Sequence, residues 1–420
     1  MERIDTVIIG GGQAGLAMSR ALSERGVEHV VLERGRVGER WRSERWDSLT
    51  LLTPRWLSRV SGWRGNDRGQ DPHGFMDRLE LVRYLTAFAR HHGVPLRTGV
   101  RVLSVTALES GGYRVETDHG AWAADRVVVA TGQSQASHVP ELARSLDPGI
   151  HQVVPTDYRN PAQLPSGGVL VVGASATGIQ LADEIHASGR PVTLAVGRHT
   201  RLPRSYRGRD ILGWLHDMGI LDQRAREVEN LAASRDQPSM QLVGSPDRRT
   251  LDLAAACAAG IRLVGRARGA DGCRVALADD LVETLAGAEF KLAGLRLRID
   301  RHIRDQGLEG EVTPPDPFDP VPLPASPETL DLRQEGIRTV LWATGFRRSY
   351  PWLHVPVLDS RGEIRHTGGI TSSPGLYVLG LNFLRRRSSS FLAGVGQDAQ
   401  ELSDHIAAVR SGTLRDRAVA

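Results

Sequence analysis

The chain has 420 residues, 40% of them hydrophobic, and a formal net charge of +4, which allows two or three domains with cores of their own. Lys291 is the only lysine, so the surplus is carried by arginine; it is too modest to point to nucleic acid and suits partners bearing a few phosphates. No apolar run is long enough to span a bilayer and no secretory leader is evident, so a cytoplasmic protein without membrane segments is expected. Cys257 and Cys273 stand sixteen positions apart, which argues against both a disulfide framework and a C-x-x-C redox pair.

The first element is VIIGGGQAGLAMSRAL at residues 7–22. A β-branched run passes through Gly10, Gly12 and Gly15 into a helix, the G-x-G-x-x-G pattern that offers unpaired backbone N–H groups and a favourable dipole to a pyrophosphate. HVVLERG follows as a second strand and ends at Glu33, where an acid reaches the ribose hydroxyls of an adenosine. The stretch GERWRSERWDSLTLLTPRW, residues 38–56, has no clear period, and such a break after a βαβ unit often wraps a cofactor. Leu81, Tyr84, Leu85 and Phe88 then recur at helical spacing, and strands are expected near residues 100–106, 113–117 and 126–130. The last of these runs into Ala-Thr-Gly at Ala130, Thr131 and Gly132.

NPAQLPSGG at residues 160–168 marks a domain boundary. Beyond it VVGASATGIQLADEI, residues 171–185, repeats the turn with Gly173, Ser175 and Gly178. Serine replaces the middle glycine, a small side chain whose hydroxyl can donate to phosphate. The next strand, VTLAV at residues 192–196, ends in GRHTRLPR instead of an acid. Arg198, His199, Arg201 or Arg204 is therefore expected to hold a 2′-phosphate, which predicts a preference for NADPH. A proline-free helical spacing covers residues 281–306, and TPPDPFDPVPLPASP, with seven prolines in fifteen residues, reads as a stiff surface connection over 313–327. TVLWATGF at residues 339–346 then repeats the strand ending in Ala-Thr-Gly, with Thr344 at its centre; glycine at such an end lets the backbone turn close under a cofactor. A final buried strand ends at Gly380 and a last helix closes the chain.

Taken together, the two fingerprints, Glu33, the W-R pair after a glycine, the two Ala-Thr-Gly ends, the basic loop closing in L-P-R and ATGF-x-x-x-Y-P resemble the flavin-containing monooxygenase family, single-component enzymes using FAD and NADPH. The resemblance spans nearly the whole chain. It implies an α/β architecture of two Rossmann-like dinucleotide-binding domains, the NADPH domain inserted into a discontinuous FAD domain, with residues 1–160 and 330–420 in the FAD domain and 166–329 in the NADPH domain. It further implies that Gly10, Gly12, Gly15 and Glu33 bind FAD with Gly38, Trp41 and Arg42 beside them, and that Gly173, Ser175, Gly178, Arg198 and Arg204 bind NADPH. Thr131, Gly132, Thr344 and Gly380 are expected against the cofactors.

The activity implied is reduction of FAD by NADPH, formation of a flavin peroxide with O₂ and oxygenation of a small organic substrate at nitrogen, at sulfur or beside a ketone. No acid-base dyad or metal site is expected, since His151, His199, His366 and His405 are scattered. Two departures keep other readings open, a flavin oxidoreductase moving hydrides without oxygenation and a non-catalytic redox sensor. The family histidine position falls on Val154, with only the aromatic Tyr158 kept, and the asparagine position of a T-N-x-P motif falls on Pro54. Candidate substrate-cleft elements are the region around Trp46 and Trp56, the segment 203–215, in which Trp214 is expected to serve packing, and LNFLRRRSSSF ending at Phe391. Homo-oligomerisation is left open, as is the identity of the substrate.

Overall fold

β-Branched runs buried on both faces form the centres of two parallel sheets. The computed structural model describes residues 1–65, 69–323 and 325–414. In the first sheet the Glu2–Ile9 strand lies between His29–Glu33 and Gly120–Val129, both parallel to it. Leu96–Thr98 extends the sheet on one side and Leu376–Val378 on the other. A hairpin of Val102–Ala107 and Tyr113–Thr117 pairs antiparallel with the early half of Gly120–Val129. Val7, Ile8, Val127 and Val128 are fully buried at its centre, beneath the Gln13–Ser23 and Leu392–Arg410 helices.

The second sheet runs in the order His151–Val153, Ile337–Trp342, Gly168–Val172, Val192–Ala195, Arg262–Val264, every neighbouring pair parallel. Its plan repeats the first: each fingerprint strand is flanked on one side by the strand that follows its helix and on the other by the strand ending in Ala-Thr-Gly. Two boundaries differ from the sequence expectation. Ile337–Trp342, expected to have returned to the first domain by residue 330, pairs with the second fingerprint strand. His151–Val153, expected to belong to the first, pairs with Ile337–Trp342. The reason is local: Trp342 and Val340 are buried in a core shared with Leu170, Val172 and Ile150, and a strand this apolar needs cover on both faces.

The Leu281–Asp305 helix matches its expected range and buries Leu285, Leu292, Ile299 and Ile303 on one face. The described residues of the proline-rich connection carry no regular element, and several are held by hydrogen bonds and ring contacts. Arg201 reaches the Asp319 carbonyl at 2.7 Å and lies over the Phe318 ring at 4.2 Å, while the Arg207 backbone N–H donates to Asp316 at 2.7 Å. Among the described residues no helix is long and apolar enough to cross a membrane.

Candidate nucleotide and substrate cleft

Between the two sheets lies one cleft of about 1790 Å³. Gly10, Gly12, Glu33, Gly38, Trp41, Thr131, Gly132 and Gly380 line it from the first domain, and Ala176, Thr177 and Gln180 from the start of the second fingerprint helix. Gly15, Gly173, Ser175, Gly178, Arg198 and Thr344 do not line it, and their roles are read from local geometry.

Each glycine of the first turn has its own constraint. Gly10 has φ +114°, and a Cβ there would lie 2.5 Å from the Ala130 carbonyl oxygen. A Cβ on Gly15 would lie 1.9 Å from the Gly10 carbonyl oxygen, so this glycine lets the helix sit against the strand. Gly12, by contrast, meets nothing within 4 Å: the space beside it is free for a ligand. Gly12 caps a helix whose first turn has no acidic residue and no side-chain cap, leaving N–H groups to an anion. Glu33 stands at the end of the next strand with one carboxylate oxygen accepting from Gly11 N–H at 2.7 Å and the other from Gly35 N–H at 2.8 Å. A carboxylate so held keeps lone pairs for ribose hydroxyls. These features fit an FAD pyrophosphate and ribose.

The second turn has the same build. Gly173 has φ +107° and a Cβ there would lie 2.4 Å from the Ala343 carbonyl oxygen, while one on Gly178 would lie 1.8 Å from Gly173 O. The repeated Ala-Thr-Gly thus has a structural cause: in each half the alanine carbonyl presses on the first glycine of the fingerprint. Ser175 caps the Ala176–Ala187 helix, again without a first-turn acid or side-chain cap, and its hydroxyl is exposed, 3.5 Å from the Arg198 carbonyl. Val196 takes the place that Glu33 holds in the first half, and Arg198, two residues further on, is exposed. An open helix N-terminus with an exposed arginine in the adjoining loop, unpaired among the described residues, fits a nucleotide carrying a 2′-phosphate. Thr344 is engaged elsewhere, donating to the His138 carbonyl, whereas Thr131 accepts from the Gln135 amide at 2.7 Å.

The structure corrects two assignments. Arg204 is not a phosphate ligand: its side chain is 1% exposed and donates to both Asp210 oxygens at 2.6 and 2.7 Å and to the Leu52 carbonyl at 2.8 Å. The tight Ser205–Tyr206 and Arg209–Asp210 hairpin brings Asp210 back onto it. Arg201 is likewise consumed, by Asp252 at 2.8 Å and by Glu289, and His199 is buried with burial pushing its ring below its ordinary pKa. Among the described residues, Arg198 alone of the basic loop's arginines has no acid partner. Arg42 is also turned away from the cleft into a separate shallow cavity with Leu79 and Val82. Arg45, just past the short Glu39–Ser43 helix, lines the cleft instead, its guanidinium 5.4 Å from the Trp41 ring and 5.9 Å from Phe346. Burial, then the charge of Arg40, pushes Arg45 down to about 10. Sequence reading missed Arg45.

Of the expected substrate elements, Trp46 is 6% exposed and packs into the core of the second domain, and Trp214 is fully buried with its indole N–H on the Tyr206 carbonyl at 2.8 Å. Tyr158 is buried and donates to Glu184 at 3.1 Å, and burial raises the pKa of both groups. Val154 is half-buried against an apolar cluster. The loop after Gly380 brings Asn382, Phe383 and Arg387 into the cleft.

A family model described as "Pyridine nucleotide-disulphide oxidoreductase" matches residues 7–215. The chain is 30% identical over 406 residues, covering 96% of itself and 98% of the relative, to an "Uncharacterized oxidoreductase CzcO-like" of Geobacillus kaustophilus. It is 28% identical over 212 residues, 49% of itself and 50% of the relative, to a "Probable indole-3-pyruvate monooxygenase YUCCA1" of Arabidopsis thaliana. Among solved structures it shares the fold of a flavin-containing monooxygenase from Stenotrophomonas maltophilia, with a TM-score of 0.67 at 20% identity, over 98% of this chain and 100% of that one. Kinship along 96% of its length makes this chain a member of the CzcO-like oxidoreductases, built on the fold of a flavin-containing monooxygenase with two fingerprint turns set around the cleft.

Proposed function

We propose that the protein uses NADPH and O₂ to insert one oxygen atom into a small organic molecule, at a soft nitrogen or sulfur or beside a ketone, the second oxygen leaving as water. The observation that carries this reading is the single cleft, reached by the first turn at Gly12 and by the second at Ala176 and Thr177. When bound, NADPH supplies the hydride and FAD relays the electrons to O₂. Gly12 and the open helix end behind it hold the FAD pyrophosphate, Glu33 the ribose, and Ser175 with Arg198 the phosphates of NADPH. Leu51, Leu52, Leu215 and Leu292 line the cleft with apolar surface and exclude water from the reacting groups. The domain partition that accompanies this reading gives the second domain the strands from His151 to Trp342 and the first domain the rest.

A second reading, hydride transfer without oxygenation, is favoured by one feature: Val154 and Pro54 stand where the family resemblance places a histidine and an asparagine, and neither can donate a side-chain hydrogen bond. The experiment is a panel of amines, thioethers and ketones assayed for NADPH consumption and product under ¹⁸O₂. Stimulated consumption with labelled product is expected. NADPH oxidation that yields only hydrogen peroxide or a reduced acceptor across the panel gives the second reading.

A further inference from the structure

One wall of the cleft carries positive charge that no acid neutralises. Arg387 is half-buried, donates to the neutral amides of Gln223 at 2.8 Å and Gln237 at 3.5 Å, and lies 5.0 Å from the centre of the Phe383 ring. Arg298, on the Leu281–Asp305 helix, lines the same cleft, and burial, then the charge of Arg298, pushes the Arg387 guanidinium below its ordinary pKa. Among the described residues neither guanidinium has a carboxylate partner, whereas Arg385 and Arg386, immediately before Arg387, are both paired, with Glu401 and with Asp398 and Glu401. Arg298 is exposed and Arg387 half-buried, and a half-buried cation facing a like charge costs free energy that a ligand anion would offset.

The setting is built, not incidental. Phe383 has φ +50°, a left-handed conformation that a side chain of this size adopts only where its surroundings hold it. Its carbonyl accepts from Arg235 at 3.3 and 3.4 Å, which holds the loop so that the Phe383 ring lies under Arg387. Beside the cations the wall is apolar, formed by Met218, Leu221, Leu292, Leu295 and Phe391. The nucleotide phosphates have other places, at the helix ends behind Gly12 and Ser175.

We infer that the molecule oxygenated here is an organic anion, its acid group held by Arg387 and Arg298 and its apolar body laid against Leu292 and Leu295. The inference rests on the oxygenase reading for what happens to that molecule, but binding tests it separately. FAD-loaded protein is titrated calorimetrically with para-methylthiobenzoate and with para-methylthiobenzamide, an acid and its neutral isostere, each bearing an oxidisable sulfur. The acid is expected to bind at least about tenfold more tightly, the lower end of what a charge-assisted hydrogen bond supplies. Arg387→Gln removes that preference, Arg387→Lys restores part of it, and Arg298→Gln reduces it; should Arg387→Gln fail to retain FAD, Arg298→Gln carries the test. Equal binding of acid and amide by the unaltered protein overturns the proposal. So does a larger loss of NADP⁺ affinity than of acid affinity in Arg387→Gln, which assigns the cations to the nucleotide. If the acid binds with the expected preference yet leaves unoxygenated in the presence of NADPH and O₂, the anion site stands and the oxygenase reading falls.

Discussion

The two nucleotide turns are near copies in backbone and opposites in charge. In each, the first glycine is pressed by the carbonyl of an Ala-Thr-Gly alanine, at 2.5 Å from a notional Cβ in one and 2.4 Å in the other, and the third by the carbonyl of the first, at 1.9 and 1.8 Å. At the end of the following strand they part. The first half places Glu33, fixed by two backbone N–H groups; the second places Arg198, exposed and beside the Ser175 hydroxyl. The comparison teaches that the strained glycines make the turn, and we propose that the side chain past the second strand decides which adenosine it accepts. A carboxylate accepts ribose hydroxyls and repels a 2′-phosphate, whereas a guanidinium attracts it.

The sharpest contrast lies within the basic loop, between Arg204 and Arg198. Removing Arg204 strands Asp210 and the Leu52 carbonyl in a buried site, so Arg204→Ala is expected to lower stability by about 3–5 kcal/mol, read as a fall in the denaturation midpoint. Arg198→Ala leaves that midpoint nearly untouched, and equal midpoints for the two variants would break the distinction.

Next in size is the turn itself. Gly173→Val sets a β-branched side chain at a positive φ and against Ala343 O, a conflict worth about 3 kcal/mol or roughly a hundredfold in binding. The variant is expected to stay yellow with FAD while NADPH no longer reduces the flavin. Gly10→Val is expected to lose FAD itself. Should Gly173→Val be reduced by NADPH at the normal rate, the second turn is not a nucleotide site.

Coenzyme choice comes third. With Arg201 and Arg204 committed to internal acids, Arg198 carries the preference alone, and Arg198→Ala is expected to reduce the advantage of NADPH over NADH by about tenfold or more through weaker NADPH binding. Steady-state KM values for both coenzymes measure it; an unchanged ratio would mean that Arg198 is solvated surface.

The smallest effect distinguishes the halves by pH. His366, at the edge of the first sheet, is pushed from 6.5 to about 3 by burial and then by Arg235, Arg348 and Arg385. The unfolded chain takes up this proton first, so the contribution of the neutral ring is complete above pH 6.5 and is lost as the pH falls from there toward 3. His366→Asn is expected to flatten the acid limb of a stability profile, which denaturant titration at several pH values measures.

The turns were legible because their requirements are local: a positive φ and a close carbonyl admit little but glycine, and the spacing follows from the strand-to-helix turn. The Leu281–Asp305 helix was legible for a similar reason, its buried leucines and isoleucines recurring with the helical period. The return of the chain was misplaced because the strand ends in the apolar run Val340-Leu341-Trp342, and an apolar run carries no mark of which sheet it joins. Arg42 and Arg45 could not be told apart by composition, since both are arginines near Trp41; Arg42 sits within a short helix and Arg45 just past its end, where the chain turns into the cleft.

By itself the sequence determined two dinucleotide turns, the acid after one and the basic loop after the other, because backbone strain and side-chain charge are written at fixed offsets. Tertiary structure alone decided which cations are free. Asp210, Asp252 and Glu289 reach Arg204 and Arg201 only after folding, and Arg298 and Arg387, distant in sequence, share one wall only where the long helix meets the loop after Gly380. A charge in a sequence is a sum over residues; whether it is spent inside the fold or left to meet a ligand depends on partners that only packing supplies.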